Sequence, residues 1–341
     1  MKTRPVEAVL LVLAAAICAV APFPPETVER LYSARLYLDI QSVLTTASNQ
    51  FPIALLDVAV GCLFIAAWMM VQSRVRLLGI RRAFIWNFVT AVKAAAVVYL
   101  LFLALWGLNY RRVPLEQKLD YDRSRLTRDA AVAFANTAVA GINAGYAAAH
   151  ASPPDIHALE ASFAEAQGAL GATRLAVTGV PKRSLLTFYF RRAAIDGMTD
   201  PLFLEIIVNP DVLEIERPFV IAHEWGHLAG YADESEANYL AWLTCMRGDA
   251  RAQYSAWLAL LGDLQPFIPK GTRLDGGPRS DLFALRYRYA RTSPVLREAA
   301  REGYDRYLRA NRVERGIESY DLVVQLILGA ETAADGSPKL R

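Results

Sequence analysis

Apolar residues are concentrated in three long runs within the first third of the chain. These runs cover residues 8–23, 52–71 and 84–108. A helix needs about 20 apolar residues to cross the hydrocarbon core of a bilayer, and the second and third runs reach that length. The pattern therefore predicts three transmembrane helices within residues 1–110, with a loop from 24 to 50 between the first two.

Positive charges decide the expected orientation of these helices. Lys2 and Arg4 precede the first run, and four arginines lie between the second and third runs: Arg74, Arg76, Arg81 and Arg82. Because cytoplasmic loops carry an excess of Lys and Arg, we expect the N-terminus and the Arg-rich loop in the cytoplasm and the chain after about residue 110 outside. A cleaved signal peptide is the alternative for the first run, since residues 19–21 resemble a cleavage site. The orientation is the same in both cases.

The pattern after residue 110 changes to helical periodicity with two short strand-like runs. Strands are predicted at 184–191 (SLLTFYFR) and 203–208 (FLEIIV), because both runs are rich in aromatic and β-branched residues. Helices are predicted at about 125–149, 155–170, 218–230, 234–247, 250–262, 279–290, 294–311 and 316–330. Residues 111–331 are thus expected to form an α+β domain with a small sheet, and residues 332–341 a polar tail.

Composition supports an α-rich integral membrane protein joined to a folded domain. Apolar residues make up 54% of the chain, charged residues 21%, and the mean hydropathy is +0.21. A net charge of +3 gives no reason to expect nucleic acid as a partner. Three cysteines provide neither a disulfide framework nor a Cys-rich metal site, and the chain has four histidines. We expect a multi-pass protein of the cell membrane, with the lipid bilayer as a partner.

One motif carries candidate chemistry. Residues 223–227 read His-Glu-Trp-Gly-His, and positions four apart on a helix share a face, so His223 and His227 can present two imidazoles to one metal ion. Zinc lowers the pKa of a bound water to near 7, and the neighbouring Glu224 can accept its proton. The motif predicts one Zn²⁺ per chain, with Glu224 as the catalytic base. Two ordinary surface histidines are the alternative.

Three acids compete to be the third metal ligand. Glu234 and Asn238 have an E-x-x-x-N spacing that resembles the E-x-x-x-D of gluzincin metallopeptidases, where the Glu binds zinc and the later residue orients a histidine. Asp233 instead completes H-E-x-x-H-x-x-G-x-x-D, which resembles the metzincin pattern. Glu236 is expected to point away from Glu234 on a helix. We favour Glu234 and keep Asp233 and Glu236 as alternatives.

Further residues near the motif are candidates to contact a substrate. Tyr231, Tyr239 and Tyr254 could donate a hydrogen bond to an oxyanion, although each is more often a core aromatic residue. Glu205 and Asn209 lie on or just after the strand at 203–208. If that strand is an edge strand it could pair with an extended peptide, and an ordinary half-buried strand is the alternative.

The chain resembles an uncharacterised bacterial family of membrane proteins with a zincin-like outer domain, a domain of unknown function. The resemblance covers most of residues 85–331 and includes WGLNYR at 106–111, FLEIIVNP, HEWGHLAG, ESEANY at 234–239 and YDRYLRANRVERGIESYDLVVQLI. It implies a metallopeptidase-like site that includes the acidic segment, without choosing among the three acids.

Two functions follow as expectations. The first is a membrane-anchored zinc metallopeptidase, gluzincin-like in its ligands, that hydrolyses peptides or envelope proteins outside the cytoplasm. The alternative is a non-hydrolytic membrane protein with a structural or sensory metal site, in which Glu224 would be dispensable.

Overall fold

The N-terminal helices form the first part of the computed structural model, which describes residues 5–151, 153–313, 315–316 and 322–341. They are α1 (Pro5–Val20), α2 (Pro25–Thr27), a π-helical segment (Val28–Leu36), α3 (Tyr37–Asn49) and α4 (Leu55–Leu105). The predicted loop from 24 to 50 is therefore wrong, because most of this segment is helical. The Tyr37 hydroxyl donates to Leu228 O at 2.9 Å and the Thr45 hydroxyl to Leu204 O at 2.7 Å, so the segment packs on the C-terminal part of the chain.

Helix α4 folds back on itself at Gly79. This residue has φ 73° and ψ 163°, which is outside the helical region. Arg74 donates to Trp86 O at 3.0 Å and to the Thr90 hydroxyl at 2.8 Å. In a straight helix twelve residues rise about 18 Å, beyond the reach of an arginine side chain. Residues 55–78 and 80–105 are consequently the two legs of a helical hairpin.

One or two candidate membrane spans follow from length and composition. Among the described residues, α4 is long and apolar enough to cross a membrane. A second candidate exists if the bent pair Val6–Val20 and Pro25–Asn49, whose arms differ in direction by 105°, is taken as one span. We expected three clearly separate spans, and the structure supports one or two candidates. The second and third predicted spans both lie within α4.

The rest of the described chain is mostly helical and contains one small sheet. Three 3₁₀ segments lie at Gly107–Arg111, Arg123–Arg125 and Gln265–Phe267. The helices are α5 (Leu115–Lys118), α6 (Arg128–Ala151), α7 (Ile156–Ala169), α8 (Thr187–Ala193), α9 (Arg217–Leu228), α10 (Glu234–Arg247), α11 (Ala250–Leu264), α12 (Gly276–Ala290), α13 (Pro294–Ala310) and α14 (Val323–Gly329). The strands are β1 (Gly197–Asp200) and β2 (Glu205–Val208).

The α-rich character and the small sheet are confirmed, with corrections to individual elements. The strand predicted at 184–191 is wrong, because residues 187–193 form helix α8. That run has one buried face, at Phe190, and exposed apolar residues on the other, which a short aromatic run does not reveal. Residues 317–321 of the helix predicted at 316–330 lie outside the described residues. The predicted polar tail lies against residues 118–121, where Asp120 N donates to Lys339 O at 2.8 Å.

The sheet is antiparallel, and β2 is its inner strand. Gly197 is paired with Val208 and Asp200 with Glu205. On its other side, β2 exchanges hydrogen bonds with Lys182, whose N–H donates to Ile206 O and whose O accepts from Val208 N, both at 3.0 Å. Of the two alternatives kept for the strand at 203–208, these hydrogen bonds favour the ordinary buried strand, and the open edge is that of β1.

The core packs α9, α10 and α11 against α6, α7 and the segment Val28–Asn49. Trp225 of α9 is fully buried, and its indole N–H donates to Gly179 O at 2.8 Å. A buried indole with its donor satisfied holds the helix in one rotation. The face of α9 opposite Trp225 is thereby directed towards β1, α10 and the end of α4.

Candidate metal centre

Helices α9 and α10 meet through a tight turn that brings three side chains together. Pro218 in the first turn of α9 has the backbone conformation that a helix start needs. Gly230, with φ 83°, makes the left-handed step that ends the helix. Asp233 then caps α10 by accepting a hydrogen bond from Ser235 N at 2.9 Å. The turn places Glu234, the first residue of α10, opposite the last turns of α9.

His223, His227 and Glu234 form a compact triangle of ligand atoms. The two histidine Nε2 atoms are 3.1 Å apart, and they lie 3.2 Å and 3.5 Å from Glu234 Oε2. Zinc bound tetrahedrally at about 2.0–2.1 Å from each ligand would separate neighbouring ligand atoms by about 3.3 Å. Three atoms at these mutual distances fit one metal ion between them.

The other ring nitrogen of each histidine is occupied. His227 Nδ1 lies 2.8 Å from the backbone oxygen of Tyr231, which can only accept a hydrogen bond, so Nδ1 carries the proton. His223 Nδ1 lies 2.8 Å from Asn238 Oδ1 and donates to it in the same way. Both Nε2 atoms are therefore left to act as ligands, an arrangement that is common for metal-binding histidines.

The carboxylate of Glu234 is deeply buried. Glu234 is 0% exposed, and its Oε2 accepts no hydrogen bond from the described residues. Burial by itself would raise the pKa of Glu234, but the charge of His227 and the contacts with both imidazoles bring the pKa well below its usual range. A buried, ionised carboxylate oxygen facing two imidazole nitrogens is the donor set that a divalent cation would satisfy.

Glu224 lies beside this triangle on α9 and faces β1. The Thr199 hydroxyl donates to its Oε2 at 2.8 Å and also lies 3.0 Å from its backbone oxygen. Gly197 lies against its other oxygen, because a Cβ added at Gly197 would be 2.4 Å from Oε1. Burial raises the pKa of Glu224, partly offset by the charges of His223 and His227. The result is a fixed carboxylate that binds a proton more readily than an exposed one.

The other two candidate acids are engaged elsewhere. Asp233 uses Oδ1 to cap α10, accepting from both the N–H and the hydroxyl of Ser235. Glu236 accepts a hydrogen bond from Leu115 N at 2.5 Å, and burial raises its pKa to about 7. Glu234 is thus the acid that the structure brings to the two histidines.

The three tyrosines named from the sequence have different positions. Tyr231 contributes its backbone oxygen to His227, while its ring lies 4.5 Å from the Arg112 guanidinium. Tyr239 is buried in the core on α10. Tyr254 donates to Asp281 Oδ2 at 2.6 Å. None of these three hydroxyls has a described contact with the triangle.

Glu205 and Asn209 also have structural contacts away from the triangle. Glu205 forms a buried ion pair of 2.8 Å with Lys182. It also accepts hydrogen bonds from the first N–H groups of α4, at Leu55 and Leu56. Asn209 donates to Ile195 O at 2.9 Å and shapes the turn after β2. Their contacts tie β2 to the start of α4 and to the chain before β1.

Two aromatic residues at the centre were not identified from the sequence. Tyr304 of α13 donates to Glu234 Oε1. Trp106, directly after α4, donates from its indole N–H to His227 O at 3.2 Å. Both lie within segments that carry the family resemblance, but nothing in the local pattern distinguishes them from core aromatic residues.

Comparisons with known proteins place the chain in a family without naming an activity. No curated protein and no solved structure matches it. The family model described as a protein of unknown function, DUF3810, matches residues 32–328, which include α3, α4, the sheet and all of the centre. With most of its length covered by that model, the chain belongs to the DUF3810 family of proteins of unknown function.

Proposed function

We propose that this chain is a membrane-anchored zinc metallopeptidase with its active site outside the cytoplasm. The observation that carries the proposal is the triangle of His223, His227 and Glu234, with atoms 3.1–3.5 Å apart, next to the buried carboxylate of Glu224. Zinc held by two imidazoles and one carboxylate would keep a fourth position open, as in catalytic rather than structural sites.

Zinc bound at these residues would supply Lewis acidity, polarising a peptide carbonyl and activating water for attack. Glu224 would accept a proton as the water oxygen bonds to the carbonyl carbon. It would then deliver that proton to the amine as the C–N bond breaks. Burial raises the pKa of Glu224, which makes the carboxyl better able to hold the proton between the two steps.

The edge strand β1 offers a place for an extended peptide. Asn209 N donates to Asp196 O at 2.9 Å, and in an antiparallel ladder this sets residues 196, 198 and 200 to bond with β2. The N–H and C=O groups of Gly197 and Thr199 then point to the other side, where no described residue bonds to them. A substrate strand could pair there, beside Glu224.

The proposal includes how the chain is anchored in the membrane. The two legs of α4 would cross the bilayer as a hairpin and α1 would cross beside them, as the Lys93–Glu7 ion pair of 2.9 Å between α4 and α1 suggests. The Arg-rich turn of the hairpin would face the cytoplasm. The remainder of the chain would then lie on the outer side, where envelope proteins are the available substrates.

Metal content and hydrolysis measured on the same samples test the proposal. The detergent-purified protein should hold about one zinc per chain and cleave a mixed-sequence peptide library. Glu224→Gln should keep the zinc and lose at least about 100-fold in rate, since it cannot accept the proton. His223→Ala should lose both. Hydrolysis unchanged in Glu224→Gln, with zinc bound, would favour a non-hydrolytic metal site and assign the cleavage to a contaminant.

A further inference from the structure

The start of the α4 hairpin contacts β2, which pairs with β1, and the chain directly after its end contacts α9, which carries both histidines of the candidate metal centre. At the start of α4, Leu55 N and Leu56 N donate to Glu205 of β2 at 3.0 Å and 2.9 Å. Directly after its end, Trp106 donates to His227 O, and the two rings are 6.2 Å apart between centroids. The apolar hairpin and the centre are therefore separated by little more than one aromatic side chain.

The C-terminal end of α1 lies beside the C-terminal end of α4. Arg111, which follows α4 by a few residues, donates to Cys18 O at 2.8 Å and to Ala19 O at 3.1 Å in the last turn of α1. The last turn of α1 thus lies beside the end of α4. Three ends of apolar helical segments meet on the side of the molecule that carries the centre.

Aromatic contacts continue from the hairpin into the centre. Phe102, in the last turn of α4, lies 6.2 Å from the ring of Tyr307 on α13. Tyr307 stacks on Tyr304 at 5.7 Å, and Tyr304 donates to Glu234. Tyrosine and tryptophan rings gather at the boundary between bilayer and water, so with α4 in a bilayer the boundary would lie at the height of these rings, beside Glu234.

Helix α8 and the turn before it add an exposed apolar surface at the start of the hairpin. Leu185 in the turn is 85% exposed and Phe188 in α8 is 71% exposed. Asp57, in the first turn of α4, accepts hydrogen bonds from Leu185 N at 2.8 Å and from the Ser184 hydroxyl at 2.6 Å. Because this surface continues directly from the hairpin and carries Arg191 and Arg192, its fitting occupant is the headgroup region of the bilayer.

We propose that the substrate is a membrane-anchored polypeptide, cut a few residues outside the bilayer surface. The inference rests on the proposed peptidase function and names its substrate class. A centre on the order of 10 Å above the end of α4 would be reached by about three residues of extended chain, at about 3.3 Å per residue. The open edge of β1, which begins four residues after α8, would receive that chain.

Cleavage mapping in vesicles tests the substrate class. The protein is reconstituted in phosphatidylethanolamine–phosphatidylglycerol vesicles with a single-span polypeptide carrying 30 residues of mixed sequence outside, and the cut sites are read by mass spectrometry. We expect cuts concentrated in the first eight or so residues, at least tenfold faster than in the same 30 residues free in solution.

The outcomes separate the two proposals. Cuts spread evenly along the segment, or equal rates for the anchored and free peptides, would overturn the substrate class while leaving the peptidase function standing, provided that Glu224→Gln abolishes them. No cleavage of either peptide by zinc-loaded protein would overturn both.

The position of α8 can be tested without turnover. In a background in which Cys18 and Cys62 are replaced by serine, an environment-sensitive dye on Phe188→Cys should be quenched strongly by a quencher attached to the lipid. The same dye on Thr137→Cys, an exposed position of α6, is the matched control and should be quenched weakly. Equal, weak quenching at both positions would overturn the membrane-surface placement of β1 and the inference built on it.

Discussion

The imidazole of His223 and the side-chain amide of Asn238 are joined by a hydrogen bond of 2.8 Å between Nδ1 and Oδ1, across the contact between α9 and α10. The bond fixes the ring of His223 so that Nε2 points at His227 and Glu234. Through Asn238, as well as through Glu234, α10 orients a histidine of α9 in the described centre.

Removing this acceptor should weaken metal binding. Asn238→Leu leaves the ring of His223 free to rotate, and outer contacts of this kind contribute about 10–100-fold to metal affinity. We expect a zinc dissociation constant raised by that factor, measured by competition with a chromophoric chelator. Asn238→Asp keeps an acceptor and should bind zinc at least as tightly as the wild type. Equal affinities for Asn238→Leu and the wild type would contradict the orienting role.

The three neighbouring acids should respond differently to neutralisation. Glu234→Gln should lose bound zinc, because the buried carboxylate that faces both imidazoles is replaced by an uncharged amide. Asp233→Asn and Glu236→Gln are the matched controls, and they should keep about one zinc per chain because their contacts lie on the cap of α10 and on Leu115. Zinc lost from Asp233→Asn but kept in Glu234→Gln would show that another acid completes the site.

Gly197 lies so close to Glu224 that there is no room for a side chain at position 197. In Gly197→Ala the new Cβ would lie 2.4 Å from Oε1, so the carboxylate must move away from its position. We expect peptide hydrolysis to fall at least about tenfold while the zinc content is unchanged. Gly168→Ala on α7, where no atom lies within 4 Å of the new Cβ, is the control and should retain full activity. Full activity in both variants would rule out a positional role for Gly197.

The hydrogen bond from Tyr304 to Glu234 should increase the affinity for zinc, although the two residues are 70 positions apart in the chain. Tyr304→Phe removes a donor to the buried carboxylate and should lower zinc affinity by about threefold to tenfold, in line with the net energy of such a bond. Tyr287→Phe, on an exposed tyrosine of α12, should leave affinity unchanged. Competition titrations of the two variants side by side measure the difference, and identical affinities would exclude a contribution from α13.

Asp200 should make stability depend on pH. Burial raises the pKa of this carboxyl to about 6 from an ordinary value of 3.8. The folded protein therefore holds the proton more tightly than the unfolded chain. The stabilisation is fully present below about pH 4 and is lost as the pH rises through 6, by about 3 kcal/mol in all.

Asp200→Asn isolates this effect, because an amide does not titrate. Between pH 4.5 and pH 8 the melting temperature of the variant should rise relative to that of the wild type, although the amide gives up part of the hydrogen bonding from Leu202 N and Phe203 N. A constant difference between the two melting temperatures over that range would show that Asp200 has an ordinary pKa in the folded protein.

Local patterns were good predictors where one element determines the outcome. Helix α9 was predicted at 218–230 and observed at Arg217–Leu228, and α10 was predicted at 234–247 and observed at those bounds. The strand at 203–208 was placed within two residues of β2. Prediction was poor where packing decides, as for residues 187–193, whose aromatic run is compatible with a strand or with a helix buried on one side.

The common face of His223 and His227 could be predicted from the sequence, because the helical repeat places residues four apart on one face whatever the surroundings. The sequence also determined the apolar runs that form α1 and α4. The tertiary structure alone decided that Glu234, rather than Asp233 or Glu236, faces the two histidines, since a tight turn sets the direction of all three. Tyr304 and Trp106 joined the centre for the same reason. Their partners are 70 and 121 residues away in the chain, and contacts at such separations follow from packing rather than from any local pattern.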